Sequence, residues 1–122
     1  MNKELILKEL KEKYPDKNIV LDDETNPTEI VCEINPENGK AVAIIDKSIP
    51  HYHNKTKEYY LVLKGNLELF IDNVRHFLKE GDTFEINPKQ KHYAIGNETW
   101  VKVSSIPPWS IEDHIILEEK KK

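Results

Sequence analysis

From Asn2 to Lys13, apolar residues recur three or four positions apart, Ile6 with Leu10 or Leu7 with Leu10 and Tyr14, and Pro15 stops the pattern. This spacing predicts a short amphipathic α-helix packed on the body of the protein or on a second subunit. After Pro15 the period shortens to runs of β-branched and aromatic residues broken by Asn, Asp, Gly and Pro. The runs are NIVL, TEIVCEI, AVAIID, EYYLVLK, LELFI, VRHFLK, DTFEI, HYAI, TWVKVSS and HIIL. Many short strands at near-regular spacing predict an all-β sandwich or barrel. Gly65-Asn66 and Asp72-Asn73 suit hairpin turns that need positive φ, and Glu80-Gly81-Asp82 reads as another tight reversal.

Alternation assigns faces to these strands. Glu58 shares a face with Tyr60 and Val62, while Tyr59, Leu61 and Leu63 lie on the other. Both faces are apolar, so the outer one is expected to meet the N-terminal segment or a partner subunit, and a homodimer is expected. Tyr60, Val62, Phe84 and Ile86 share inward parity, which suits ordinary barrel filling or the wall of a pocket.

The chain has 122 residues and no break in composition, and one domain over 1–122 is expected. It divides into a helical arm over 1–15, a β-barrel over 16–118 and a charged tail over 119–122. Charged residues make up 33% with both signs interspersed, as on a folded, solvated surface. The 22 acidic and 18 basic residues leave a net charge of -4 and no basic stripe, which argues against nucleic acid as a partner. Cys32 is the one cysteine, in keeping with a reducing compartment. The N-terminal run is too charged for a signal peptide and no apolar run matches a bilayer, so a cytoplasmic protein without a membrane partner is expected.

Chemistry concentrates in HYHNKTKEYYLVLKG, His51 to Gly65. In extended chain the imidazoles of His51 and His53 project to one side, roughly 7 Å apart along the backbone, and can converge on one ion. Glu58 opens the next strand on a face that can point inward, and His92, at the start of HYAI, is the natural fourth group. Three imidazoles and a carboxylate suit Fe, Mn, Ni, Co, Cu or Zn, and without thiolates they do not resemble a structural zinc site. Octahedral coordination would leave two positions for water, substrate or dioxygen. The plainer reading is that each histidine is a hydrogen-bonded strand residue with no ligand role.

With those residues in place, the chain resembles a small single-domain cupin of the RmlC-like, jelly-roll superfamily. The family's first motif, H-x-H, three or four residues, E, six residues, G, is matched by His51, His53, Glu58 and Gly65. Its second motif is resembled by GDTFEINPKQKHYAIGN, Gly81 to Asn97, and fifteen residues separate Gly65 from Gly81. Ile45 stands where a glycine is usual, Asn87-Pro88-Lys89 replaces a two-proline turn, and Asn97 falls one residue late. The resemblance implies a double-stranded β-helix behind a short N-terminal α-helix. It also implies a divalent metal ion on His51, His53, Glu58 and His92.

The resemblance further implies a metal-dependent enzyme with a small polar organic substrate. Dioxygenase chemistry leads, because the ligand set suffices for it. Sugar or sugar-phosphate isomerase or epimerase chemistry is the first alternative, for which no second inward carboxylate or phosphate clamp is legible. A non-catalytic metabolite- or metal-binding module is the second. Tyr60 and His76, whose parity could turn them inward, are candidate catalytic groups, and His76 fits equally as a silent residue at the barrel edge. Arg75, the one arginine, could clamp a carboxylate but shares the outward parity of Phe77. In SSIPPWSIEDHIIL, Ser110 to Asp113 could begin a helical turn with a capping box. Trp109 and His114 would then fold over the barrel mouth or, more simply, pack on the sheet.

Overall fold

The computed structural model describes residues 1–117; the charged tail expected over 119–122, with residue 118 of the expected barrel, lies outside the described residues. Helix α1 spans Lys3–Lys13. The Asn2 side chain caps it by accepting the Leu5 N–H at 3.2 Å, and Glu4 in the first turn with Lys11 and Lys13 in the last complement its dipole. Ile6 and Leu10 are the residues it buries, as the sequence period predicts.

The rest is strand and turn. The strands are β1 (Asn18–Leu21), β2 (Glu29–Asn35), β3 (Lys40–Lys47), β4 (His51–Tyr52), β5 (Lys57–Lys64), β6 (Leu67–Ile71), β7 (Val74–Leu78), β8 (Thr83–Ile86), β9 (His92–Ile106) and β10 (Ile115–Ile116). Every pairing between them is antiparallel. The first half of β9 pairs with β6 and, at His92, with β4; its second half pairs with β3 and β5. Strands β2 and β1 extend one face beyond β3, β8 lies outside β5, and β7 lies outside β6. The sheet therefore curls on itself around β9, giving the jelly-roll barrel with one N-terminal helix.

HYAI and TWVKVSS, expected as two strands, are one. The polar residues between them form an irregularity that carries β9 from one face of the barrel to the other: β3 pairs Ile45 with Thr99 and then Lys47 with Ile95. Glu98 takes a left-handed φ of 47° there, and its N–H is held by Asp46 Oδ1 at 2.7 Å. At Gly96 a Cβ would fall 2.7 Å from the Ile45 carbonyl oxygen, so a larger residue would push β9 off β3 at this point. The strand at His51–Tyr52 has no counterpart among the expected strands; its pairing with His92 and with β10 creates it. The hairpin turns follow expectation, with positive φ at Gly65, Asp72, Asn73 and Gly81.

Two apolar clusters flank β3. Inside the barrel, Ala43 and Ile45 join Tyr60, Val62, Leu69, Ile86 and Val101. Outside, Val42 and Ile44 join Ile6, Leu10, Ile30, Cys32 and Trp100 under α1. A strand buried on both faces explains why AVAIID reads as continuous rather than alternating. The outer face of β5 is partly covered in the same way: Leu63 packs against the helix cluster, whereas Tyr59 remains 38% exposed. Because Leu10 is fully buried, Leu10→Ala is expected to destabilise the protein by about 2–5 kcal/mol. Urea unfolding of the variant checks this, with its far-UV strand signal retained below the transition.

Candidate metal centre

Three chain segments deliver the four predicted donors to one point. His51 pairs with His92 across β4 and β9, His53 follows β4 directly, and Glu58 lies on β5 between Ile86 and Ser105 on its neighbours. All four are buried, and one donor atom from each lies within 4.8 Å of the others. The outer ring nitrogens are fixed by backbone carbonyls: His51 Nδ1 to Ile49 at 2.7 Å, His53 Nδ1 to Asp113 at 2.7 Å, and His92 Nδ1 to Gln90 at 2.9 Å. A carbonyl oxygen only accepts, so each Nδ1 carries the hydrogen and each Nε2 turns a lone pair toward the centre.

Glu58 Oε1 sits 3.1 Å from His53 Nε2 and 3.2 Å from His92 Nε2. A carboxylate oxygen facing unprotonated imidazole nitrogens is repelled unless positive charge lies between them, either as ring protons or as a cation. Burial works against the charged form of Glu58, but the contacts with His53 and His92 outweigh it and hold the carboxyl well below its ordinary range. Burial would likewise lower His53, yet its bond to Glu58 prevails and raises it. His51 behaves oppositely: burial, then the neighbouring His92, push it down to about 3, so it stays neutral. Protons therefore cannot serve all three rings. One divalent cation would accept three lone pairs and a carboxylate oxygen together, and the donor set fits such an ion.

The C-terminal segment is built into this centre. Asp113 supplies the carbonyl that orients His53, and its carboxylate accepts the backbone N–H groups of Asn54 at 2.8 Å, Lys55 at 3.1 Å and Thr56 at 3.0 Å. The expected helical turn exists as a 3-10 turn over Ile111–Asp113, but Ser110 makes no side-chain cap, and the capping carboxylate serves the histidine loop instead. Trp109 and His114 do not simply pack on the sheet. The His114 ring lies 4.4 Å from that of His51, and Trp109 Nε1 donates to His114 Nδ1 at 3.1 Å.

Both residues line a cavity of about 390 Å³ that reaches His51 and Glu58. It is lined by Glu29, Val31 and Glu33 on β2, Tyr60 on β5, and Val103 and Ser105 on β9. It exists because β3 and the turn before it face this space with Gly39, Ala41 and Ala43, which leave the interior unfilled. Of the other residues singled out from the sequence, Tyr60 lines the cavity, while Val62 and Ile86 fill the core and Phe84 packs against it. His76 is half-buried on β7 with its ring 4.7 Å from Phe84, away from the cavity lining. Arg75 pairs with Glu68 at 2.9 Å on the surface. Glu29 and Asp113 were not singled out from the sequence. Alternation in TEIVCEI does carry a signal for Glu29, which shares a face with Val31 and Glu33.

The family model described as "Cupin domain" matches residues 41–104. An uncharacterised protein of Methanocaldococcus jannaschii is 38% identical over 80 residues, which is 63% of this chain and 64% of that protein. The match thus spans less than two-thirds of the relative's length. Among solved structures, a Streptomyces PAC13 variant with uridine superposes with a TM-score of 0.72 at 9% identity, over 86% of this chain and 88% of the other. An RmlC-like cupin from Shewanella frigidimarina gives 0.61 at 18% identity, over 80% and 88%. At these identities the two structures speak for the fold alone.

Asp113→Ala is expected to release the histidine loop. Amide hydrogen exchange at Asn54, Lys55 and Thr56 should accelerate at least about tenfold, a loss of roughly 1.4 kcal/mol of protection, while exchange along β3 and β9 stays unchanged.

Proposed function

The chain belongs to the cupin domain family, and from that premise we propose that it is a metal-dependent enzyme. The ion would be held by His51, His53, Glu58 and His92, and the substrate would be a small polar organic molecule that meets it through two oxygens. The observation that carries the reading is the set of three Nε2 lone pairs and Glu58 Oε1 gathered at one buried point with every outer ring nitrogen already committed. When bound, the ion supplies Lewis acidity, or redox chemistry if its identity allows. The chain's own residues do the rest. Backbone carbonyls orient the rings, Trp109 and His114 line the cavity beside His51, and Val31, Val103 and Ala43 give its wall apolar surface.

Dioxygen chemistry asks nothing of the protein beyond this donor set. Proton-transfer chemistry of the isomerase kind asks for a further inward acid/base group, and Glu29 on the cavity wall supplies a candidate that favours this branch. A binding module without turnover would use the same pocket.

Purification without added metal followed by elemental analysis is expected to return a first-row divalent ion near one per chain. Oxygen uptake with catechols, ketoacids or thiols would support the oxygenase branch. Interconversion of sugars without oxygen uptake would support the isomerase branch, and tight binding without turnover the module. His53→Ala and Glu58→Ala are each expected to lower retained metal at least about tenfold while the far-UV spectrum stays that of the parent, because neither core cluster includes these residues. Unfolding of both variants, or full metal retention by both, would sink the reading.

A further inference from the structure

His114 stands beside the candidate metal donors without joining them. Its ring lies 4.4 Å from that of His51 and 5.5 Å from that of His53, yet the atoms gathered at the centre come from His51, His53, Glu58 and His92. The Trp109 indole N–H can only donate, and it meets His114 Nδ1 at 3.1 Å, so Nδ1 presents a lone pair and the ring hydrogen resides on Nε2. This reverses the arrangement of the other three rings, whose Nδ1 atoms face backbone carbonyls. His114 Nε2 makes no hydrogen bond among the described residues. Every fully buried side-chain polar atom among them has a partner, so this N–H is open to solvent, on a residue that lines the cavity.

The ring is held from both directions along the chain. On one side the Asp113 carboxylate accepts the N–H groups of Asn54, Lys55 and Thr56. On the other, β10 pairs Ile115 with Tyr52 and Ile116 with His51. A donor fixed in this way is pre-organised, so little freedom is lost when it meets an acceptor.

We propose that His114 is a ligand-binding residue of this centre, donating its Nε2 hydrogen to the carboxylate of a monocarboxylic acid whose remainder is apolar. The proposal rests on the metal-dependent reading above. A carboxylate answers both demands, because its anionic oxygens meet the cation and further lone pairs remain for a neutral donor alongside. The rest of the cavity selects the remainder of the molecule. Val20, Val31, Val103 and Tyr60 offer apolar surface, and the charged side chains beyond the donor set are Glu29, Glu33 and Lys40. Lys40 is engaged by Ser104 Oγ at 3.0 Å, and no arginine is among the lining residues. A second carboxylate or a phosphate on the ligand would meet two like charges against one engaged cation, which counts against dianionic ligands.

The probe is benzoate, titrated into cobalt-loaded protein with the visible cobalt spectrum and the heat of binding both followed. The parent is expected to bind benzoate at least about tenfold more tightly than benzamide or terephthalate. His114→Phe keeps a flat ring beside His51 and removes the donor; it is expected to weaken benzoate at least about tenfold, with bound cobalt within twofold of the parent. His114→Gln, whose side-chain amide can donate in place of Nε2, is expected to bind benzoate within about threefold of the parent, and it serves if the Phe variant does not fold. A ring that acted only by packing would reverse that order, with Phe the better substitute. A second readout needs no metal. In proton–nitrogen correlation spectra of the metal-free protein, His114 should carry its hydrogen on Nε2 and His51 on Nδ1. Absence of benzoate binding by the cobalt-loaded parent, terephthalate bound as tightly as benzoate, a Gln variant weaker than the Phe variant, or a His114 hydrogen on Nδ1 overturns the assignment. Failure of the metal reading looks different: the parent itself would retain no cobalt, while the nitrogen spectrum would still report where the His114 hydrogen lies.

Discussion

The buried contact between Glu58 Oε1 and the Nε2 atoms of His53 and His92 is the constraint around which the barrel interior is organised. An ionised carboxylate inside a small barrel is tolerable only if positive charge meets it, and among the described residues no lysine or arginine is buried there. Three imidazoles surround it instead, positioned so that ring protons or a cation can supply that charge, and each is oriented from behind by a carbonyl that no side-chain substitution can remove. That arrangement converts three separate strand ends into one rigid donor set.

The rest of the fold can be read as support for that point. Strand β9 contributes His92 near its start and Ser105 beside Glu58 near its end, so the bend at Gly96–Glu98 determines how the two faces of the barrel close on the centre. Residues beyond the 41–104 span matched by the family description are part of the same unit. Asp113 fastens the loop that carries His53, His114 lies beside His51, and Glu29 on β2 lines the cavity that reaches His51 and Glu58. Small residues on β3 create the space, and Trp109 is among the side chains that line it.

Much of this was legible in the linear order. The three-or-four spacing of Ile6 and Leu10, the turn residues at Gly65 and Asp72-Asn73, and the alternation along β5 each follow from local backbone geometry, which acts over a few residues. The H-x-H-and-E spacing with His92 downstream marked the donors. The two-residue strand at His51 was not legible, because it exists through pairing with His92 and Ile116, far away in sequence. Nor was the continuity of β9, since Gly96, Asn97 and Glu98 carry turn chemistry and long-range pairing with β3 overrides it.

By itself, then, the sequence determined the periods of burial, the turn positions and an all-β sandwich or barrel, because these depend on neighbours, and the jelly-roll class and four candidate donors followed from the resemblance that its motif spacing carries. Only the tertiary structure decided that Asp113 caps the histidine loop, and that Trp109, His114 and Glu29 line one cavity with His51 and Glu58. Those facts depend on which strand ends meet across the barrel and on how much space Gly39, Ala41 and Ala43 leave between them, and strand parity does not encode distance.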